Sequence, residues 1–272
     1  MILVTGANGH LGAATLAALR ARGVAATGGS RTPGAGMRRL DFDDRAGLDL
    51  AGVSTLVLIS AGYAEDDQVV GRHAAVLDAA VRDGVRHVVY TSLTGAGDHL
   101  GFALAHRATE RLVRASGLPW TILRNGLYAE LFGGLLTWAD SGVESAFGDG
   151  ALAAVAREDL ADAAAIVAAN PVPHDGRVHD LVGTPITAGQ VADRLGVHHR
   201  TITLAEYRRR LTEAPDLLPF QPPMLASIAT SIRHGFLGDT APDLANLLGR
   251  PVRDPLATAV AAASLTRVGA GG

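Results

Sequence analysis

Along the first half of the chain, short unbroken apolar runs alternate with longer stretches in which apolar residues recur every three or four positions. Met1–Thr5 (MILVT), Thr55–Ser60 (TLVLIS), His87–Ser92 (HVVYTS) and Trp120–Arg124 (WTILR) are of the first kind. Their length and their β-branched content predict strands buried on both faces. Val24–Gly28 and Arg39–Phe42 add two weaker strands, with Gly29–Gly36 read as a loop between them. Leu11–Arg22, Asp67–Asp83 and Phe102–Ser116 carry helical spacing and are stopped by Gly23, Gly84 and Gly117; Asp44–Leu50 predicts a further short helix. Strands alternating with helices build βαβ units. The expected fold is therefore α/β, a doubly wound parallel sheet with its ligand crevice at the C-terminal ends of the strands.

The second half is less regular. Leu131–Trp138 reads as a helix, Glu158–Asn170 as a helix packing back on the first unit, and Val178–Val182 as a further strand. Thr187–Leu195 reads as a helix with Thr187 as N-cap, Thr201–Leu204 as a short extended run, and Leu204–Leu211 as an arginine-rich helix. Ala214–Pro223 is proline-rich and breaks the pattern, helices then continue to Ala263, and the tail Gly269–Gly272 reads as frayed.

Composition narrows the chemistry. The chain has 272 residues, 48% hydrophobic and 19% charged, with a net charge of −3, which gives no basic surface for nucleic acid. Cysteine is absent, which excludes disulfides, thiolate nucleophiles and Cys-ligated zinc. Lysine is absent too: all 24 basic residues are arginine, so no Schiff base and no lysine acid can operate. The ten histidines form no His-x-x-x-His pair with a third ligand nearby, so no metal site is expected. The start MILVTGANGHLG lacks the features of a secretory signal, and Ala161–Ala169 and Ala257–Leu265 fall short of the ~20 apolar residues a membrane span requires. A cytoplasmic protein without a membrane partner is expected.

Gly6-Ala7-Asn8-Gly9-His10-Leu11-Gly12 is a G-x-x-G-x-x-G turn between the first strand and the first helix. Glycine allows the tight turn and the close backbone approach, and the helix N-terminus offers free N–H groups to a pyrophosphate. This context favours a dinucleotide over a turn without ligand. A site for NAD usually carries an acid about twenty residues past the glycines. Here the second strand is followed by Ser30-Arg31-Thr32-Pro33, and Arg31 is placed to meet the 2′-phosphate of NADPH, with NADH as the alternative. Asp41 and Phe42, at the end of the third strand, are positioned to flank the adenine, although Phe42 reads equally well as core. The expected division is residues 1–130 as an NAD(P)-binding Rossmann domain, with 151–185 packing back on it, and 131–272 as a smaller C-terminal α/β domain forming the substrate pocket.

The absence of lysine rules out the Tyr-x-x-x-Lys pair by which common short-chain dehydrogenases protonate a carbonyl. A compatible acceptor is one whose reduced oxygen is easily stabilised, such as a quinone. Ser92, at a strand C-terminus, reads either as a donor to a developing oxyanion or as a strand-end cap. His106 and Glu110 share one helix face, so Glu110 either raises the imidazole pKa and makes it a proton donor or forms a surface pair with it. Asn125 is suited to hold the nicotinamide or the acceptor, and Tyr128 to stack on a quinone or to pack. Trp138, Phe147 and Phe220 read as pocket lining or core.

Taken together, VTGANGHLG, LVLIS, VVYTSLTGA, His106-Arg107-Ala108-Thr109-Glu110 and TILRNGLYAE resemble the NmrA-like atypical short-chain dehydrogenases, and within them the type 2 NAD(P)H:quinone oxidoreductases. The likeness extends through AREDLA and HDLVG to LLGRPVRDPLATAV. It implies a Rossmann domain with NADPH, a small-molecule quinone or carbonyl acceptor in a cleft, and direct two-electron reduction without flavin; a homodimer is compatible with it. It also implies that Gly6, Asn8, Gly9, His10, Leu11 and Gly12 surround the pyrophosphate, that Arg31 meets the 2′-phosphate, and that Ile59, Ser60, Thr91 and Ser92 line the ribose and nicotinamide. His10 departs from the smaller or amide side chain frequent there. Leu131–Ala154 and Tyr207–His234, the segments that shape the acceptor pocket, carry the weakest likeness. Two rivals stay open on the same frame: a tailoring reductase of secondary metabolism and a non-catalytic NAD(P) redox sensor.

Overall fold

A computed structural model describes residues 1–61 and 64–269. Tyr63 and, beyond Gly269, the tail expected to fray lie outside the described residues. The first element is β1 (Ile2–Val4), followed by α1 (His10–Ala21), β2 (Ala26–Ser30), β3 (Arg38–Arg39), β4 (Thr55–Leu58) and α2 (Asp66–Arg82). Next come β5 (His87–Leu93), α3 (Ala103–Ala115) and β6 (Trp120–Asn125). The chain continues through α4 (Ala129–Gly134), β7 (Thr137–Ala139), β8 (Gly142–Ser145), β9 (Ala151–Ala154), α5 (Arg157–Ala169) and β10 (Arg177–Leu181). It ends with β11 (Thr184–Thr187), α6 (Ala188–Leu195), β12 (His198–Thr201), α7 (Leu204–Glu213), α8 (Gln221–Arg233), α9 (Asp243–Leu248) and α10 (Pro255–Gly269).

Seven strands form one parallel sheet in the order β10-β6-β5-β4-β1-β2-β3. The order reverses between β1 and β4, which opens the crevice of a doubly wound sheet there. Strand alternation sorts the apolar side chains onto two faces. Val4, Val57, Val89 and Leu123 pack with α1 and α5, whereas Leu3, Leu56, Leu58, Val88 and Ile122 pack with α2 and α3. A further core gathers Phe132, Val143, Phe147, Leu152, Ile186, Val191, Ile228 and Ala259. The backbone shuttles between these cores. After β7 to β9 it returns to the sheet as α5 and β10, leaves again through β11 to α8, and returns as α9 before α10.

Local departures from the sequence pattern have local causes. The second strand runs on to Ser30 and the third shrinks to Arg38–Arg39, leaving Asp41 and Phe42 beyond its end; Phe42 packs against the core under α2. Asp44–Leu50 yields only a 3-10 turn, Arg45–Gly47, because the Asp44 carboxylate accepts from Gly47 N–H at 3.1 Å and caps it. The helix expected over Leu131–Trp138 stops at Gly134, where two successive glycines weaken it, and Trp138 lies in β7 instead. β8 and β9 are short and rich in small residues, and β11 is short and holds Pro185, so they carry little strand signal. The last extended run is displaced from Thr201–Leu204 to His198–Thr201. The prolines of the Ala214–Pro223 stretch open α8, since the first helical turn tolerates residues without an N–H. Thr187 caps α6 as read, completing a capping box with Gln190.

The final stretch is tied to the sheet by Asp159 of α5, which is fully buried. Its carboxylate accepts from Arg250 at 2.7 Å, from Arg253 N–H at 2.7 Å and from the Arg253 guanidinium. Substitution Asp159→Ala strands the Arg253 N–H and leaves both guanidinium groups to Asp162, and a loss of about 2 kcal/mol is expected, the scale of a hydrogen bond to a charged group. Chemical denaturation checks this; an unchanged midpoint would show that the clamp carries no stability.

Candidate active site

The glycine turn is built as dinucleotide binding requires. Gly6 sits at φ +60°, a left-handed conformation that other residues rarely adopt. A Cβ on Gly12 would lie 2.3 Å from the Gly6 carbonyl, so only glycine lets α1 approach β1 this closely. Gly9 is the N-cap of α1 and supplies no side-chain cap. The first intrahelical bond is Ala13 N–H to Gly9 O at 2.9 Å, which leaves the N–H groups of His10, Leu11 and Gly12 without partners among the described residues. These orphan donors fit a pyrophosphate.

Asn8 ties this turn to the end of β2. Its amide donates to Ser30 Oγ at 2.9 Å and to the Thr32 carbonyl at 2.8 Å, holding exposed Arg31 between them beside the loop. Asp41 is turned to its own backbone, accepting from Asp43 N–H at 3.2 Å, and Asp43 pairs with Arg72 at 2.7 Å. Past β4, Ile59 N–H donates to Thr5 Oγ1 at 2.9 Å and Ile59 packs behind Gly6. Ser60 N–H donates to Thr91 Oγ1 at 3.1 Å. The Thr91 hydroxyl is therefore occupied inside the sheet, although the resemblance placed it on the cofactor.

At the ends of β5 and β6 the side chains differ from the sequence reading. Ser92 is buried and donates to Glu110 Oε1 at 2.7 Å, while Arg107 donates to its oxygen at 3.2 Å, so its proton is committed to protein. Glu110 does not bond His106. Its carboxylate, 1% exposed, takes Arg124 through two bonds at 2.9 and 2.8 Å, Arg107 at 2.8 Å and Arg114 at 3.3 Å. Burial opposes ionisation of Glu110, but the bonds from Arg124 and Ser92 and the neighbouring positive charges prevail and bring its pKa down to about 2. Arg107 continues from Glu110 to the carbonyls of Leu93 and Thr94, both at 2.9 Å. His106 instead faces Tyr90, with Oη 3.1 Å from Nδ1. Burial, then the Arg107 charge, push its pKa down to about 4, opposite to the direction expected from a Glu110 pairing.

Asn125 is buried at the end of β6, and its Oδ1 has no partner; Thr94, at the end of β5, likewise carries an unpartnered hydroxyl. An orphaned amide at a strand C-terminus fits a carboxamide or carbonyl ligand. Tyr128 precedes α4, with the Arg157 guanidinium 4.8 Å over its ring. Phe147 is core beside Phe132, Trp138 donates to the Ala263 carbonyl, and Phe220 is half-buried at the start of α8. Sequence reasoning missed Tyr90, hidden in an apolar strand run, and Arg107 and Arg124, whose convergence on Glu110 only the fold supplies.

Residues 6–171 match the family described as NAD(P)H-binding. The chain is similar to quinone oxidoreductase 2 of Escherichia coli, at 33% identity over 92% of this chain and 94% of that one. It is 30% identical, over 93% of this chain and 94% of that one, to the (4-alkanoyl-5-oxo-2,5-dihydrofuran-3-yl)methyl phosphate reductase of Streptomyces griseus. Among solved structures it superposes on the triphenylmethane reductase of Citrobacter sp. complexed with NADP(H), with a TM-score of 0.85, 30% identity and coverage of 96% of this chain and 99% of that one.

The Glu110 cluster makes stability depend on pH. Its folded pKa, about 2, lies below the ordinary 4.5, so its contribution is complete above 4.5 and is lost as pH falls through 2. Glu110→Gln is expected to lower the denaturation midpoint at neutral pH, and the gap to wild type to close on acidification through that window. A gap that does not change with pH would remove Glu110 as the titrating group.

Proposed function

The chain belongs to the NAD(P)H-binding family, in its NmrA-like group, and is an NAD(P)H-dependent oxidoreductase related to quinone reductases; on that footing we propose that it transfers a hydride from NADPH directly to a quinone or related electron-poor carbonyl compound, without flavin. The orphan N–H groups at the start of α1 would hold the pyrophosphate, and Arg31 the 2′-phosphate. Bound there, the reduced dinucleotide supplies the hydride. Asn125 would orient the nicotinamide or the acceptor through its unpartnered amide.

The acceptor class rests on the surroundings of His106 on α3: Glu110 is claimed by Arg124 and Arg107, the ring faces the Tyr90 hydroxyl at 3.1 Å, and burial lowers its pKa to about 4, so no charged acid stands there. An ordinary ketone would leave an alkoxide that demands a strong proton donor. A quinone leaves a phenolate, which a hydrogen bond stabilises and water protonates. The likeness to a quinone reductase supports the same choice. Tyr128 remains a stacking surface for such a ring, stiffened by Arg157.

Loss of reduced-nicotinamide absorbance, followed with flavin-free protein and a panel of benzo- and naphthoquinones, tests this directly. Saturable oxidation that prefers NADPH is expected. Turnover with enones alone would move the acceptor to conjugated carbonyl compounds, and cofactor binding without turnover would favour a sensor. Arg31→Ala should weaken NADPH binding on the order of ten- to a hundred-fold, the scale of a charge-assisted hydrogen bond, and leave NADH binding nearly unchanged. Equal losses for both would reject the 2′-phosphate contact.

A further inference from the structure

Four rings stand in file from the core outward: His73 on α2, Tyr90 on β5, His106 on α3 and Phe102 just before it. Their centroids are 5.6, 6.3 and 6.3 Å apart in turn. The inner end has a fixed hydrogen-bond direction. Ala61 N–H donates to His73 Nε2 at 2.9 Å, so that nitrogen carries the lone pair. Burial holds His73 neutral, with a pKa of about 3, and its single ring proton lies on Nδ1. Nδ1 donates to Thr109 Oγ1 at 2.8 Å, and Thr109 gives its own proton to the Ala105 carbonyl at 2.8 Å.

Thr109, which borders the Tyr90 hydroxyl, has given its proton to the Ala105 carbonyl and has none to offer the phenol. Tyr90 is fully buried, and burial raises its pKa, so it stays a phenol. Ser60, the other polar group facing the phenol, can donate to it. The phenol Oη lies 3.1 Å from His106 Nδ1, and a phenol that keeps its proton can donate it there. A neutral imidazole that accepts at Nδ1 is protonated at Nε2. That nitrogen has no partner among the described residues, and the His106 side chain is half-buried. His106 lies one turn into α3, at the end of the helix nearest the strand C-termini and hence the crevice.

We propose that Tyr90 is a positioning residue that locks His106 as the Nε2–H tautomer, so that His106 acts as a fixed hydrogen-bond donor to the acceptor oxygen and not as a titrating acid. This use of His106 rests on the reductase reading above; the lock itself does not. The hydride brings two electrons to the acceptor, whose oxygen takes up the negative charge. Nε2–H holds that oxygen without releasing its proton, since release would leave an imidazolate, and water protonates the product. The ionisable groups facing the ring are Arg107 and Glu110 on α3, His73 on α2 and Tyr90 on β5. With its pKa at about 4, the imidazole stays neutral and turnover stays level across the range near ~6.5 where an ordinary histidine titrates.

Imidazole nitrogen NMR on the full ¹⁵N-labelled chain tests the lock, with His106→Gln identifying the His106 signals by their disappearance. The expected wild-type pattern is a bare Nδ1 and a protonated Nε2 throughout the neutral range. In Tyr90→Phe the two tautomers should mix, and kcat should fall roughly three- to ten-fold, the worth of one hydrogen bond, with KM for NADPH unchanged. His106→Leu should cost on the order of a hundred-fold in kcat, as for the loss of one oxyanion donor, while His106→Gln, which keeps an N–H, restores part of it. A protonated Nδ1 in the wild type, or a Tyr90→Phe protein with the wild-type tautomer and kcat, overturns the proposal. Should Tyr90→Phe not fold, the wild-type spectrum decides alone. A locked tautomer in a protein that reduces no acceptor would sink the reductase reading and leave the lock standing.

Discussion

Glu110 is the carboxylate on which the ends of two central strands depend. Three guanidinium groups and a hydroxyl converge on it from α3, β5 and β6, so the buried carboxylate is fully satisfied by partners that stay partly in water. Arg107 carries the influence onward to the backbone carbonyls that follow Ser92, so charge adds to packing in holding the turn after β5. The strand ends that carry Thr94 and Asn125 are fixed by this cluster, and with them the geometry any ligand in the crevice meets.

The absence of lysine gives this arrangement its character. With arginine as the sole permanent cation, each ion pair can be forked and planar, as at Glu110–Arg124 and Asp43–Arg72, where two bonds fix direction as well as distance. The same absence removes the usual partner that activates a catalytic tyrosine. On the reading proposed above, chemistry falls to neutral groups, a histidine and an amide, which suits an acceptor that needs orientation more than protons.

Much of this was legible in the chain. The strand and helix alternation, the glycine turn and Arg31 at the end of β2 follow from spacing, because each is a local property of consecutive residues. The hydrogen-bond partners of Ser92 and His106 were not, because they hang on which neighbour the fold delivers. Glu110 stands four residues from His106 on one helix face, yet arginines from two other segments claim it, and His106 turns to a tyrosine sixteen positions earlier. Short strands such as Ala151–Ala154 escaped for a different reason: small side chains carry no pattern, and only their partners make them strands.

The shuttling of the backbone between the sheet and the second core has a topological effect. Because α5 with β10, and later α9, re-enter the first core after the chain has already built part of the second, neither half is a contiguous piece of sequence. No single cut in the backbone can release one half intact, and neither half can be made alone by truncation. Several covalent threads therefore join the two cores, and a change in the packing of one is passed to the other through all of them.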